Sequence, residues 1–175
     1  MLALIYLLKF IDTHLDMYYN IGLMPNMITT LGIIFGLLSM YNIFKSNYKL
    51  ASFLLLIAYY FDCLDGYYAR QYKMETELGD YYDHFSDITK MIIISYAVYL
   101  KRSDLFTSMN MAIVFVLVIM SLIHLGCQEK YHNKLMSPSL DGLKKLCSDK
   151  EIICYTKYFG TGTLMLGAMI LVYNL

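Results

Sequence analysis

Between Pro25 and Ile43 the chain reads PNMITTLGIIFGLLSMYNI, nineteen residues with no charged side chain. A helix rises ~1.5 Å per residue, so this run matches the ~30 Å hydrocarbon layer of a bilayer. Four more segments are of similar length: Leu50 to about Tyr68, Asp80–Leu100 (polar at its start), Leu105–Leu125 and Tyr158–Leu175. A mean hydropathy of +0.49 agrees with membrane embedding rather than a soluble domain. The expected fold is therefore all-α, a polytopic membrane helix bundle with five transmembrane helices. Pro25 stands at a favoured first-turn position. Gly32 and Gly36, four apart, would let a neighbouring helix approach closely.

The remaining segments are polar or amphipathic. Within residues 1–20, Lys9, Asp12, Thr13 and Asp16 form one polar stripe on a helix. The apolar part, residues 1–8, is too short to cross, so an amphipathic helix lying at the membrane interface is expected. The amino terminus lacks the basic region and small-residue cleavage site of a signal peptide. Residues 127–157 form the one long loop, turn-rich and suited to a short surface helix. With 175 residues and no internal repeat, a single membrane-embedded domain over 1–175 is expected. With the amino terminus inside, nine Lys and Arg residues face the cytosol against four outside, which puts the 127–157 loop and the polar link after the second span on the cytosolic side. Zero net charge points to no nucleic-acid partner. The four cysteines form no regular framework and read mostly as free thiols. Nor do His124, Cys127, His132, Cys147 and Cys154 match a zinc-site spacing.

Four aspartates interrupt this apolar pattern in DCLDGYYARQYKMETELGDYYDHFSD, residues 62–87. Asp62, Asp65 and Ala69 share one helix face, and Asp83 and Asp87 share a face of the next helix. A helical hairpin would bring the two faces together in the cytosolic half of the membrane. Each charge buried there costs at least ~2.5–3.5 kcal/mol, so such acids are expected to face the interior and hold a partner. Arg70 alone cannot neutralise four carboxylates. An all-oxygen set selects hard cations, favouring Mg²⁺ or Mn²⁺ over Zn²⁺, with Ca²⁺ as another occupant. Two divalent ions would balance the charge. Bound Mg²⁺ keeps positions open for phosphates, which predicts a diphosphate substrate. Gly66 and Ala69 leave space beside Asp65, and Gly79 permits a sharp turn or a close approach.

The order Asp62-x2-Asp65-Gly66-x2-Ala69-Arg70-x8-Gly79-x3-Asp83-x3-Asp87 resembles the full signature of the CDP-alcohol phosphotransferases, with all eight fixed positions present. Pro25, Asn26 and Thr29 are similar to the start of that family's first membrane helix, so the likeness covers residues 25–90. The resemblance implies a phospholipid-synthesising membrane enzyme, typically of six helices and often a homodimer. Such enzymes move a substituted phosphoryl group from a CDP-linked donor to an alcohol acceptor and release CMP, by in-line displacement assisted by two metal ions. It implies Asp62, Asp65 and Asp83 as metal ligands, and Asp87 as general base that also touches metal. Asp65, Gly66, Ala69 and Arg70 would line the nucleotide site, with Gly79, Asn26 and Thr29 close by. Only five spans are counted here, leaving the sixth either missing or hidden as an irregular segment at 140–157.

His84, directly after Asp83, resembles the choline/ethanolamine phosphotransferase branch, where CDP-choline or CDP-ethanolamine reacts with diacylglycerol. His84 itself reads as a hydrogen-bonding residue behind the ligands. The alternative branch joins CDP-diacylglycerol to inositol, serine or glycerol phosphate. A phosphorylated acceptor wants a basic pocket, and beyond Arg70, Lys73 and Lys90 the core offers little. Two readings of another class stand beside these: a divalent-cation transporter, and a catalytically inactive membrane scaffold. Release of CMP from a CDP-alcohol separates the enzyme from both. In a eukaryotic setting the endoplasmic reticulum would be the usual location.

Overall fold

The structure, a computed structural model, describes residues 2–131, 137–156 and 158–175. Its helices are α1 (Leu2–Asn20), α2 (Pro25–Phe44), α3 (Tyr48–Gln71), α4 (Glu77–Lys101), α5 (Ser108–Tyr131), α6 (Ile152–Thr156) and α7 (Thr161–Tyr173). Short 3₁₀ segments occupy Ser103–Leu105 and Pro138–Leu146. No strand occurs among the described residues, so the all-α expectation holds. The side chain of Lys9, with His132, Lys134 and Lys157, lies outside the described residues.

By length and apolarity α2, α3 and α5 can each cross a membrane. The chain is an integral membrane protein with a helical bundle. α4 is equally long at 25 residues but carries Asp80, Asp83 and Asp87 in its first half. α7 has 13 residues, a rise of ~20 Å, and is shorter than the span expected from Tyr158 onward. The difference arises at Gly160, which lies in a bend before α7 and packs on the His124 ring. The 140–157 stretch holds the 3₁₀ segment and α6, neither long enough to cross.

The chain falls into two compact units, residues 1–101 with 169–175, and residues 102–168. In the first, α2 and α3 form a hairpin turned at Lys45–Asn47, where Ser46 takes a left-handed φ of 58°. Ser39 Oγ donates to the Ala51 carbonyl at 2.8 Å across that hairpin. α4 packs on α2. α1 lies against the end of α3 through Ile11 and Leu15, which join Ile28, Leu64 and Tyr68 in a buried cluster. Its predicted polar stripe also serves this contact. Asp12 accepts the Tyr67 hydroxyl at 3.1 Å and Asp16 accepts the Tyr72 hydroxyl at 2.6 Å.

In the second unit the 3₁₀ segment Pro138–Leu146 folds back on the end of α5. Cys127 and Cys147 meet there in a disulfide, their Cα atoms 4.9 Å apart. This corrects the free-thiol reading for that pair; Cys63 and Cys154 are free. Twenty residues separate the pair in sequence, and no spacing rule reveals it. Close approach depends on Gly126, where any Cβ would overlap the Leu143 carbonyl. The Gly126→Ala variant should therefore lose ~1–3 kcal/mol of stability through overpacking against backbone. A lowered melting temperature in detergent, with a larger fraction of reduced Cys127 and Cys147 on thiol labelling, checks this.

Candidate active site

The site lies in the first unit, where α3 ends and α4 begins. α3 leaves its last turn at Tyr72 and Lys73, the latter at φ 55°, and four residues later α4 starts at Glu77. α3 and α4 both pack on α2, and the short link between them brings their acidic residues to one place. Asp62, Asp83 and Asp87 each bring one carboxylate oxygen to within 4.8 Å of the other two. Buried Asp83 Oδ1 has no hydrogen-bond partner among the described residues. A buried oxygen without a partner, on one of three carboxylates that converge, fits a hard divalent cation, which prefers oxygen ligands.

Asp65 stands outside that trio. It is 3 % exposed, accepts the Thr29 hydroxyl at Oδ2 at 2.5 Å and the Gly66 amide at Oδ1 at 2.6 Å. Each oxygen retains a further lone pair. Thr29, itself buried on α2, has its single hydroxyl proton within reach of both Asp65 and the Pro25 carbonyl, the shorter contact being to Asp65, so α2 supplies a clamp on Asp65. Thr29→Val keeps the volume and removes the donor. CMP formation in that variant should fall by about 10–100-fold, with helix content by circular dichroism unchanged.

Arg70 lies one turn after Gly66, and its guanidinium covers that glycine: a Cβ on residue 66 would stand 3.2 Å from Nη1. The space expected beside Asp65 thus accommodates Arg70. Ala69 is half-buried next to it. Gly79 sits against Asn26, whose Oδ1 would be 3.2 Å from a Cβ there, and its amide donates to Thr76 Oγ1 at 3.0 Å. The start of α2 and the start of α4 therefore lie close together. The His84 ring nitrogen Nδ1 hydrogen-bonds the Asp80 carbonyl at 2.8 Å, one turn back along α4.

Sequence reasoning missed Lys90 as a site residue. It is 1 % exposed, with Nζ 2.5 Å from Asp62 Oδ1 and 2.8 Å from Asp87 Oδ1. The Asp62 contact is a hydrogen bond; the Asp87 contact is an ion pair whose direction falls short of one. The available signal was a lysine inside a span, three residues after Asp87 and so on the same helix face.

A family model described as CDP-alcohol phosphatidyltransferase matches residues 22–174. Searches of curated proteins and of solved structures gave no match.

Proposed function

Because the chain belongs to the CDP-alcohol phosphatidyltransferase family, we propose that it joins a CDP-linked donor to an alcohol in the membrane through the carboxylates of α3 and α4. The family transfers phosphate-alcohol groups from CDP-alcohols and generally depends on divalent metal. The observation that carries the reading is the convergence of Asp62, Asp83 and Asp87 on one spot, with Asp65 held beside them by Thr29. Asp62, Asp65, Asp83 and Asp87 would hold Mg²⁺ or Mn²⁺, two ions when fully loaded. Bound there, such cations supply Lewis-acid stabilisation of charge on the diphosphate.

The chain's own residues do the rest. Thr29 and the Gly66 amide keep Asp65 in one rotamer. The Arg70 guanidinium, exposed over Gly66, is placed to meet an anionic nucleotide. Asp87, with a side chain 37 % exposed, is reachable by the acceptor hydroxyl. It takes the hydroxyl proton as the acceptor oxygen bonds to phosphorus. The bond from that phosphorus to the CMP oxygen breaks, and CMP leaves. A single in-line displacement needs no covalent enzyme intermediate, so incubation with donor alone should leave no phosphoryl-aspartate.

Among acceptors, diacylglycerol is favoured, with CDP-choline or CDP-ethanolamine as donor. Lys90 is committed to two carboxylates, which leaves Arg70 and Lys73, among the described residues of the signature segment, as the cations for a phosphorylated acceptor. The second reading, CDP-diacylglycerol with inositol, serine or glycerol phosphate, is favoured by the exposure of those two cations. The Lys and Arg distribution supports an active site facing the cytosol, in the endoplasmic reticulum if the source is eukaryotic. The test is direct. Purified protein with Mg²⁺ or Mn²⁺ is given radiolabelled CDP-choline, CDP-ethanolamine or CDP-diacylglycerol with each acceptor. CMP and a labelled lipid should appear with one pairing. Ion flux in proteoliposomes without CMP from any pairing would instead indicate a transporter.

A further inference from the structure

The Lys90 ammonium is bound by carboxylates that a metal ion would need. It touches Asp62 and Asp87, two of the three carboxylates that converge, and leaves the third, Asp83, with an orphaned oxygen. The position is built, not incidental. The Lys90 stem lies in a notch made by two glycines of α2. A Cβ on Gly36 would stand 3.1 Å from Lys90 Cγ, and a Cβ on Gly32 would stand 3.8 Å from Nζ. The pair expected to bring helices together thus also houses a lysine side chain. Fully buried, its charge would be expensive without the two carboxylates, and they would repel one another without it.

From this geometry, and resting on the metal reading above, we propose that Lys90 is a resident counter-cation that competes with the divalent ion for Asp62 and Asp87. It holds the α3 and α4 acids together before the metal arrives. Loading then displaces the ammonium from those oxygens, and Asp83, with its free oxygen, is the carboxylate at which an incoming ion meets no competitor. Lys90 is a positioning residue in this scheme, since it acts on the ligands rather than on substrate. Its presence weakens metal binding and stabilises the metal-free protein.

The test uses the full chain in detergent, with Mn²⁺ as the probe. Binding is followed by electron paramagnetic resonance or calorimetry, and melting temperature is read with and without Mn²⁺. Lys90→Met fills the same notch without charge. It should bind Mn²⁺ at least about tenfold more tightly than the wild type, because no cation has to be displaced. Without Mn²⁺ it should melt at a lower temperature, and Mn²⁺ should raise that temperature by more than it does for the wild type. If Lys90→Met does not fold, Lys90→Gln, which keeps a hydrogen-bond donor, reports the same dissociation constant. Equal or weaker Mn²⁺ binding in the neutral variant overturns the competitor role and leaves the metal reading standing. No Mn²⁺ binding by either wild type or variant overturns both.

Discussion

Asp87→Asn should lower the rate of CMP release by about 10²–10⁴-fold while leaving donor binding nearly intact. The amide keeps the size of the side chain and its place on α4 but cannot take a proton from the acceptor hydroxyl. A carboxylate is a weak base for an alcohol, so the enzyme depends on having it within hydrogen-bond reach as the oxygen attacks. The substitution also removes one of the two anions that hold Lys90. The other, Asp62 at 2.5 Å, is untouched, so the buried ammonium keeps a partner and the fold should survive. The measurement is single-turnover CMP release, beside donor affinity determined by equilibrium binding. A variant with the wild-type rate would show that the proton goes elsewhere. A variant that loses donor affinity and rate in equal proportion would show that Asp87 acts in binding rather than in proton transfer.

Helical periodicity made much of this site legible. Spacing of three and four places Asp62 with Asp65, and Asp83 with Asp87, on single faces. The short polar link between them made the meeting of Asp62 with Asp83 and Asp87 readable, although α3 and α4 each pack on α2. The long apolar runs gave α2 and α3 within three residues at each end, whereas α5 runs on to Tyr131, six residues past the expected end at Leu125 and into the stretch expected to be loop. What periodicity cannot supply is the direction of a side chain toward a third element. Lys90 was visible as an intramembrane charge, but only the α2 glycines opposite it explain where its stem goes. Asp65 looked equivalent to Asp62 along the helix, yet it stands outside the converging trio and is bonded to the Thr29 hydroxyl of α2. The Cys127–Cys147 bond depends on a 3₁₀ segment folding back over Gly126, a contact made through the Leu143 backbone carbonyl, which no residue type advertises. α7 starts only at Thr161, after a bend that ends at Gly160, and hydropathy averages over that bend.

Removal of divalent metal should abolish donor binding as well as turnover, and the physical reason is charge. Four carboxylates stand at this site with one buried ammonium among them, so with the acids ionised and no added cation the site is net negative. A CDP-linked donor carries its own negative diphosphate to the same place. At about 4 Å, two like charges repel by ~4 kcal/mol at the effective dielectric near a protein surface, roughly a thousandfold in affinity. Arg70, exposed over Gly66, offsets part of this. Protein treated with a chelator and then dialysed should therefore bind labelled donor at least about a hundredfold more weakly. It should form no CMP above the uncatalysed background. Mg²⁺ or Mn²⁺ should restore both, whereas raised monovalent salt should restore neither, because screening acts weakly on partly buried groups. Undiminished donor affinity after chelation would mean that the diphosphate rests on Arg70 and helix-end groups rather than against the aspartates. The carboxylates would then need another role.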